Sequence, residues 1–317
     1  MSATVYELTR PGAGRLVPQK VPTPGPHQVL VRVQNVGVCA SDLPTWANPQ
    51  PTYPMQLGHE PVGEVIEAGP GIDVPAGSLV GGRIFPSFAT YAVADLADLV
   101  LIPDGVDPAV ALPEPVGCVV EGYRRTPTAP GASVAVVGGG FMGLIMVQLL
   151  ASSAISDLIV IDPRADARDA ATACGAGRVY EPASVPGALR YGMNSRETAG
   201  VDVVVEASGS QAGLDLAGDL VRPHGVLSIL GYHQGRRQVN LQDWNWKALD
   251  VVNAHVRDQR LLREATLAGL RLQQAGRLEL QKLVTHRFTA DRIDEAFETL
   301  RSKPHGFIKS VVDFRSS

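Results

Sequence analysis

The sequence predicts an α/β protein of two domains, one β-rich and barrel-like, the other a doubly wound parallel sheet. Three observations carry this. At 317 residues the chain is longer than a single hydrophobic core commonly organises. Its first part alternates short apolar and β-branched runs with Pro and Gly, the punctuation of strands and turns. From about residue 132 onward, strand-like runs alternate with helical segments, a pattern that builds parallel sheets.

In chain order, residues 28–36 (Gln-Val-Leu-Val-Arg-Val-Gln-Asn-Val), 63–68 and 90–94 are strands, and together they suggest a small irregular barrel. Strands follow at 133–137, 158–162, 202–206, 226–230 and 249–253, with helices such as 142–153 and 164–173 between them. Residues 257–276 have helical periodicity, 283–288 are strand-like, and 291–302 are helical again. Residues 309–314 close as a strand that rejoins the first domain. The domain limits expected are 1–124 completed by 285–317, and 125–284 for the second domain.

Composition excludes several classes. The chain is 45% hydrophobic and 19% charged with a formal net charge of −4, which attracts neither nucleic acid nor an anionic membrane. The most apolar stretch, 143–161, is interrupted by Gln148, Ser152, Ser153, Ser156 and Asp157, too polar for a span that needs about 20 apolar residues. The first residues lack the basic and apolar regions of a secretory signal. Cys39, Cys118 and Cys174 make no disulfide framework, so a cytoplasmic setting is expected. Cys118 and Cys174 suit packing.

Gly138-Gly-Gly140-Phe141-Met142-Gly143 follows the apolar run 134–137. The glycines stand where a chain turns tightly, lets a pyrophosphate approach and packs a helix against a strand, although a plain glycine turn has the same look. Asp162 ends the next strand, where a carboxylate receives the adenosine ribose hydroxyls and repels a 2′-phosphate. NAD is therefore expected over NADP. Arg164 could meet a 2′-phosphate if the carboxylate turned away, or could be a solvated helix-entry residue.

A second constellation is more telling. Cys39-Ala-Ser41-Asp42, Gly58-His59-Glu60 and Glu114-Pro115 offer a thiolate, an imidazole and carboxylates, the donors of a catalytic zinc. Distance along the chain argues little, since a lone Cys is more often a small buried hydrophobe and a lone His a core residue.

These residues resemble the medium-chain dehydrogenase/reductase superfamily, in particular its zinc-dependent alcohol and sorbitol-dehydrogenase-like members. Gly58-His59-Glu60-x-x-Gly63-x5-Gly69-x2-Ile72 is similar to that family's zinc signature, and Glu114-Pro115 to its polyol-dehydrogenase variant. Val201-Asp-Val-Val-Val-Glu206-Ala-Ser-Gly209 and Gly306-Phe-Ile-Lys309 are similar to later family segments. The resemblance implies a GroES-like catalytic domain with a Rossmann domain inserted in it. It implies Cys39 and His59 as zinc ligands, Glu60 as a direct or exchangeable ligand, and Glu114 as a ligand or the anchor of a water. Asp42 would orient His59, and Ser41 would take the substrate's hydroxyl proton. Asp42 as a turn residue, Glu114 as a helix-start carboxylate and Ser41 as a turn cap remain open alternatives.

Two departures stand out. The family's run of four cysteines that holds a structural zinc is missing, so one zinc per chain is expected. Pro44 stands where many relatives carry a proton-relay histidine, and proline cannot relay. His255 could replace it or, with Asn253, bind substrate hydroxyls; an ordinary loop is an equal reading. Trp46, Phe85 and Phe88 fall in segments that line the cleft of related enzymes, unless they are core. The activity implied is NAD-dependent oxidation of a secondary alcohol on a polyol, sugar or cyclitol-type molecule, reversible to the ketone, in a homodimer or homotetramer. The alternatives are a metal-free carbonyl or enone reductase and a non-catalytic nucleotide-binding protein.

Overall fold

The computed structural model describes residues 3–50, 52–191 and 199–315. The chain divides into two compact units, Met1–Gly117 with Asp258–Ser317, and Cys118–Arg257. Among the described residues no helix is long and apolar enough to cross a membrane.

The first unit opens with β1 (Ala3–Arg10) and β2 (Ala13–Gln19), an antiparallel pair. Then come β3 (Gln28–Gly37), the short helix α1 (Leu43–Ala47), β4 (Glu60–Ala68), β5 (Leu79–Gly82), β6 (Tyr91–Asp95) and β7 (Leu99–Leu101). Helix α2 (Pro113–Arg125) carries the chain out of this unit.

The second unit holds β8 (Ser133–Val137), α3 (Phe141–Ala151), β9 (Asp157–Ile161), α4 (Ala165–Ala173) and β10 (Arg178–Tyr180). It continues with β11 (Val201–Glu206), α5 (Gln211–Leu220), β12 (Val221–Ile229), α6 (Leu241–Trp246) and β13 (Asp250–Asn253). Its six strands run parallel in the order β10-β9-β8-β11-β12-β13. The order reverses between β8 and β11, which defines the crevice of a doubly wound sheet. Strands covered on both faces read as continuous apolar runs, and Val134 to Val137 and Leu158 to Ile161 are buried throughout.

The chain then returns to the first unit with α7 (Gln259–Gln274), β14 (Val284–Thr289), α8 (Ile293–Ser302) and β15 (Lys309–Asp313). Helix α7 falls in the first unit rather than within the expected nucleotide domain of 125–284. The reason is its buried stripe: Leu270 packs with Val62, Val100 and Ile102, and Arg263 Nε and Gln273 Nε2 donate to the carbonyls of Leu99 and Ala111. The boundary expected at 124 lies at 117, inside α2.

The sheet of this unit runs β14-β15-β3-β4-β5-β7, with β6 also paired to β3. Strand β15 is parallel to β14 and antiparallel to β3. Three strands thus meet where the site forms: Gly37 of β3 is opposite Glu60 of β4 on one side and Val311 of β15 on the other.

Candidate metal centre and cofactor turn

Cys39 lies just past the end of β3, His59 just before β4, and Glu60 is the first residue of β4. Cross-strand pairing therefore does what chain distance does not. One donor atom from each of Cys39, His59 and Glu60 lies within 4.8 Å of the others, and a metal ion could be held there. Soft sulfur, imidazole nitrogen and carboxylate oxygen form a donor set suited to zinc.

The surrounding groups hold the set in place. His59 Nδ1 is 3.2 Å from Asp42 Oδ2. Asp42 starts α1 without capping it, which leaves its carboxylate for the ring. Ser41 Oγ donates to Cys39 Sγ at 3.2 Å and stands 3.5 Å from His59 Nε2.

Glu60 is buried, and its Oε2 accepts from Lys309 Nζ at 2.6 Å; the same ammonium donates to the Val38 carbonyl at 3.0 Å. Gly37 makes room for that carboxylate, because a Cβ there would stand 2.1 Å from Glu60 Oε2.

The protonation chemistry follows this crowding. Burial raises the Cys39 thiol's pKa, and the Glu60 carboxylate adds to the rise. Burial works against the His59 imidazolium, but the bond to Asp42 and the neighbouring Cys39 prevail and push its pKa up to about 11. Burial likewise opposes the Glu60 carboxylate, and Lys309 with His59 holds its pKa below the usual range. Glu114, in the first turn of α2, is pushed up to about 7 by burial and by the charge of Glu60. It stands outside the three-residue donor set among the described residues, while remaining within electrostatic reach of it.

The aromatic expectations divide. Trp46 is core: its Nε1 donates to Asp294 Oδ1 at 2.9 Å and its ring stacks on Phe297. Phe88 is fully buried, edge-on to Tyr6 and Phe297. Neither presents a face to a substrate, because the cluster of Tyr6, Trp46, Phe88 and Phe297 fills the interior that β1, α1 and α8 enclose. Phe85 is exposed. Asn253 and His255 belong to the other unit and are both exposed. The Asn253 carbonyl accepts from Arg125 Nε, and His255 Nδ1 lies 3.1 Å from the Val256 carbonyl.

In the second unit, Gly138 has φ +111°, and a Cβ there would stand 2.7 Å from Ser208 N. At Gly143 a Cβ would meet the Gly138 carbonyl at 1.9 Å, so α3 packs onto the turn only through glycine. A Cβ at Gly140 meets nothing within 4 Å, and no side chain caps the helix that starts at Phe141 and Met142. Open space beside an uncapped helix start suits a phosphate. Asp162 is buried and accepts from Gly139 N at 2.8 Å and Arg164 N at 2.9 Å. The Arg164 guanidinium lies 3.7 Å from both Asp162 Oδ1 and Asp166 Oδ2.

Sequence reasoning missed Lys309 and Gly37 as site residues. A lysine opening the strand Lys-Ser-Val-Val-Asp directly after the apolar pair Phe307-Ile308 was the available signal for the first; the second shows itself only through the pairing of β3 with β4.

Likeness to known proteins agrees with both units. Residues 25–104 match the alcohol dehydrogenase GroES-like domain, and residues 142–269 match the zinc-binding dehydrogenase domain. In class, the chain is an oxidoreductase. It is 30% identical to the L-threonine 3-dehydrogenase of Pyrococcus horikoshii, with 94% of this chain and 95% of that one covered. It is 28% identical to the sorbitol dehydrogenase of Halalkalibacterium halodurans, covering 93% and 95%. The chain belongs to the zinc-binding alcohol dehydrogenase family. Among solved structures, 2R,3R-butanediol dehydrogenase from Bacillus subtilis shares the fold with a TM-score of 0.84 at 22% identity, covering 99% of this chain and 100% of that one.

Proposed function

We propose that this protein is a zinc- and NAD-dependent dehydrogenase that oxidises a secondary alcohol of a small polyhydroxylated molecule and reduces the matching ketone in reverse. The observation that carries the reading is the gathering of Cys39, His59 and Glu60 within 4.8 Å, with the Ser41 hydroxyl against two of them. Threonine, sorbitol and butanediol, named for the relatives above, each carry a hydroxyl on a carbon flanked by two carbons. One zinc per chain is held by Cys39, His59 and Glu60, with Glu114 as a further ligand or the anchor of a water.

When bound, zinc supplies Lewis-acid polarisation of the alcohol oxygen and NAD supplies the hydride acceptor. The rest falls to the chain. Ser41 Oγ stands against Cys39 Sγ and His59 Nε2 and can receive the substrate's hydroxyl proton as it passes its own hydroxyl proton on to solvent water, so that it ends the step as a neutral hydroxyl. Asp42 fixes the ring of His59 through Nδ1 and directs Nε2 toward Ser41. Lys309 steadies Glu60. Pro44 has no proton to pass on. In the second unit the turn Gly138-x-Gly140-x-x-Gly143 and the start of α3 receive the pyrophosphate, and Asp162 the adenosine ribose. NAD is favoured over NADP because Arg164 is engaged by Asp162 and Asp166.

The edge strand β13 supports assembly with a second copy, since Val251 on it and Leu241 and Trp246 on α6 are exposed. A homodimer or homotetramer is expected by sedimentation. The three cysteines, Cys39, Cys118 and Cys174, suit a cytoplasmic setting.

The test is zinc content per chain together with NAD reduction by a panel of polyols. Near one zinc, lost in Cys39→Ser and His59→Ala, with NADH formed from a polyol, supports the reading. Protein without zinc that still reduces carbonyls or enones moves it to a metal-free reductase.

A further inference from the structure

The Glu206 carboxylate at the end of β11 is fully buried. It accepts from Ser208 N at 2.8 Å, Ser208 Oγ at 2.5 Å and Gly209 N at 2.9 Å. His233 Nε2 is 2.7 Å from its other oxygen. A guanidinium only donates, so Arg237 Nε, 3.1 Å from His233 Nδ1, assigns the tautomer: Nδ1 accepts, and Nε2–H donates to Glu206. Arg237 also donates to the carbonyls of Gly209 and Gln234, both at 3.0 Å. His233 and Arg237 therefore tie the loop after β12 onto the turn after β11.

Both segments stand at the carboxyl ends of parallel strands, against the glycine turn: Ser208 N is the nearest atom to a Cβ placed on Gly138. A doubly wound sheet takes one mononucleotide on each half, outside the carboxyl ends of its strands. Asp162 marks the half formed by β8, β9 and β10 as the adenosine side, which leaves β11, β12 and β13 for the nicotinamide nucleotide. The loop that Arg237 ties down presents Tyr232, which is 56% exposed despite its aromatic ring.

We propose that His233 and Arg237 are positioning residues for the nicotinamide half of the cofactor, holding Tyr232 and the backbone beside it in the geometry that this nucleotide binds. The inference rests on the NAD-dependent reading above. Neither residue touches the reacting atoms. Their contribution is to order the loop before binding, which removes a cost otherwise borne by the complex.

The test titrates the metal-loaded full chain with NADH and, separately, with AMP, which occupies only the adenosine half. His233→Ala and Arg237→Ala should each raise the Kd for NADH about tenfold, roughly 1.4 kcal/mol, and leave the Kd for AMP within about twofold. His233→Gln, whose amide can donate to Glu206 and accept from Arg237, should restore most of the affinity. Should an alanine variant be recovered unfolded, Arg237→Lys, which keeps the charge and loses the fork, carries the same test. Unchanged NADH binding in these variants, or equal loss of NADH and AMP, overturns the proposal. A wild-type chain that binds neither probe would instead remove the NAD-dependent reading on which it stands.

Discussion

Replacing Lys309 with Met tests the architecture of the metal centre most directly. The ammonium is buried, 2.6 Å from Glu60 Oε2 and 3.0 Å from the Val38 carbonyl. Methionine fills similar space and leaves a buried carboxylate without its cation. Removing one partner of such a pair costs about 3–5 kcal/mol, whereas replacing both by neutral groups costs much less. Lys309→Met should therefore destabilise the metal-free first unit by about 3–5 kcal/mol, and Lys309→Met with Glu60→Gln should recover most of that. The loss should also depend on pH. In the wild type the pKa of Glu60 is lowered, so its contribution is present above the unfolded value of about 4.3 and fades as pH falls through the lowered one. In the variant, burial without Lys309 raises that pKa, so the deficit grows as pH rises and the carboxyl loses its proton. Urea unfolding in the presence of chelator measures this, followed by Trp46 fluorescence in a background with Trp244 and Trp246 changed to Phe. The chain has three tryptophans and only Trp46 lies in the first unit. A change below about 1 kcal/mol, or no recovery in the double variant, would refute the reasoning.

Three further outcomes are expected. Gly37→Ala puts a methyl where Glu60 Oε2 now lies, and should weaken zinc retention against a competing chelator at least about tenfold; retention equal to wild type would show that the carboxylate is not needed. Ser41→Ala should lower turnover about a hundredfold with zinc still bound, and wild-type turnover would remove Ser41 from proton transfer. In the second unit, Asp202 accepts from Ser133 N and Oγ and from Arg222 Nε. Burial opposes its charge, but these donors prevail and lower its pKa. Asp202→Asn should cost about 1 kcal/mol near neutral pH, a modest figure for a partly exposed group. That difference should shrink as pH falls below about 3.9 through the lowered value; a pH-independent difference in thermal unfolding would contradict the assignment.

The parts of this molecule legible in its sequence are those where local pattern and tertiary role coincide. The apolar runs at 133–137 and 158–162 announce buried parallel strands because both faces are covered. The glycine turn is legible because its spacing records a close approach of backbone to backbone. Cys39, His59 and Glu60 were legible as chemistry, and their convergence came from β3 pairing with β4. Lys309 was opaque as a site residue for a physical reason: its partner Glu60 is 249 residues away. Whether Trp46 and Phe88 are cleft or core was left open by the sequence for a related reason. Their packing partner Phe297 comes from α8, and nothing near either residue announces whether its ring meets protein or solvent. Helix α7 followed the same logic, since its amphipathic stripe marks a buried face without naming the unit that buries it.

The insertion of one unit within the other has a bearing on how the protein is made. A chain emerging from the ribosome presents Cys39, His59 and Glu60 early, while the strand bearing Lys309 follows only after the whole of Cys118–Arg257 has been synthesised. Until then β3 lacks its neighbour β15 and Glu60 lacks its counter-charge. Metal capture before that point would engage ligands held only by the pairing of β3 with β4, with Glu60 not yet steadied by Lys309, so completion of the centre reports that translation has passed Lys309. A product truncated before β15 would display an open sheet edge and an unneutralised carboxylate, two features by which a cell's quality-control machinery could tell it from the finished enzyme.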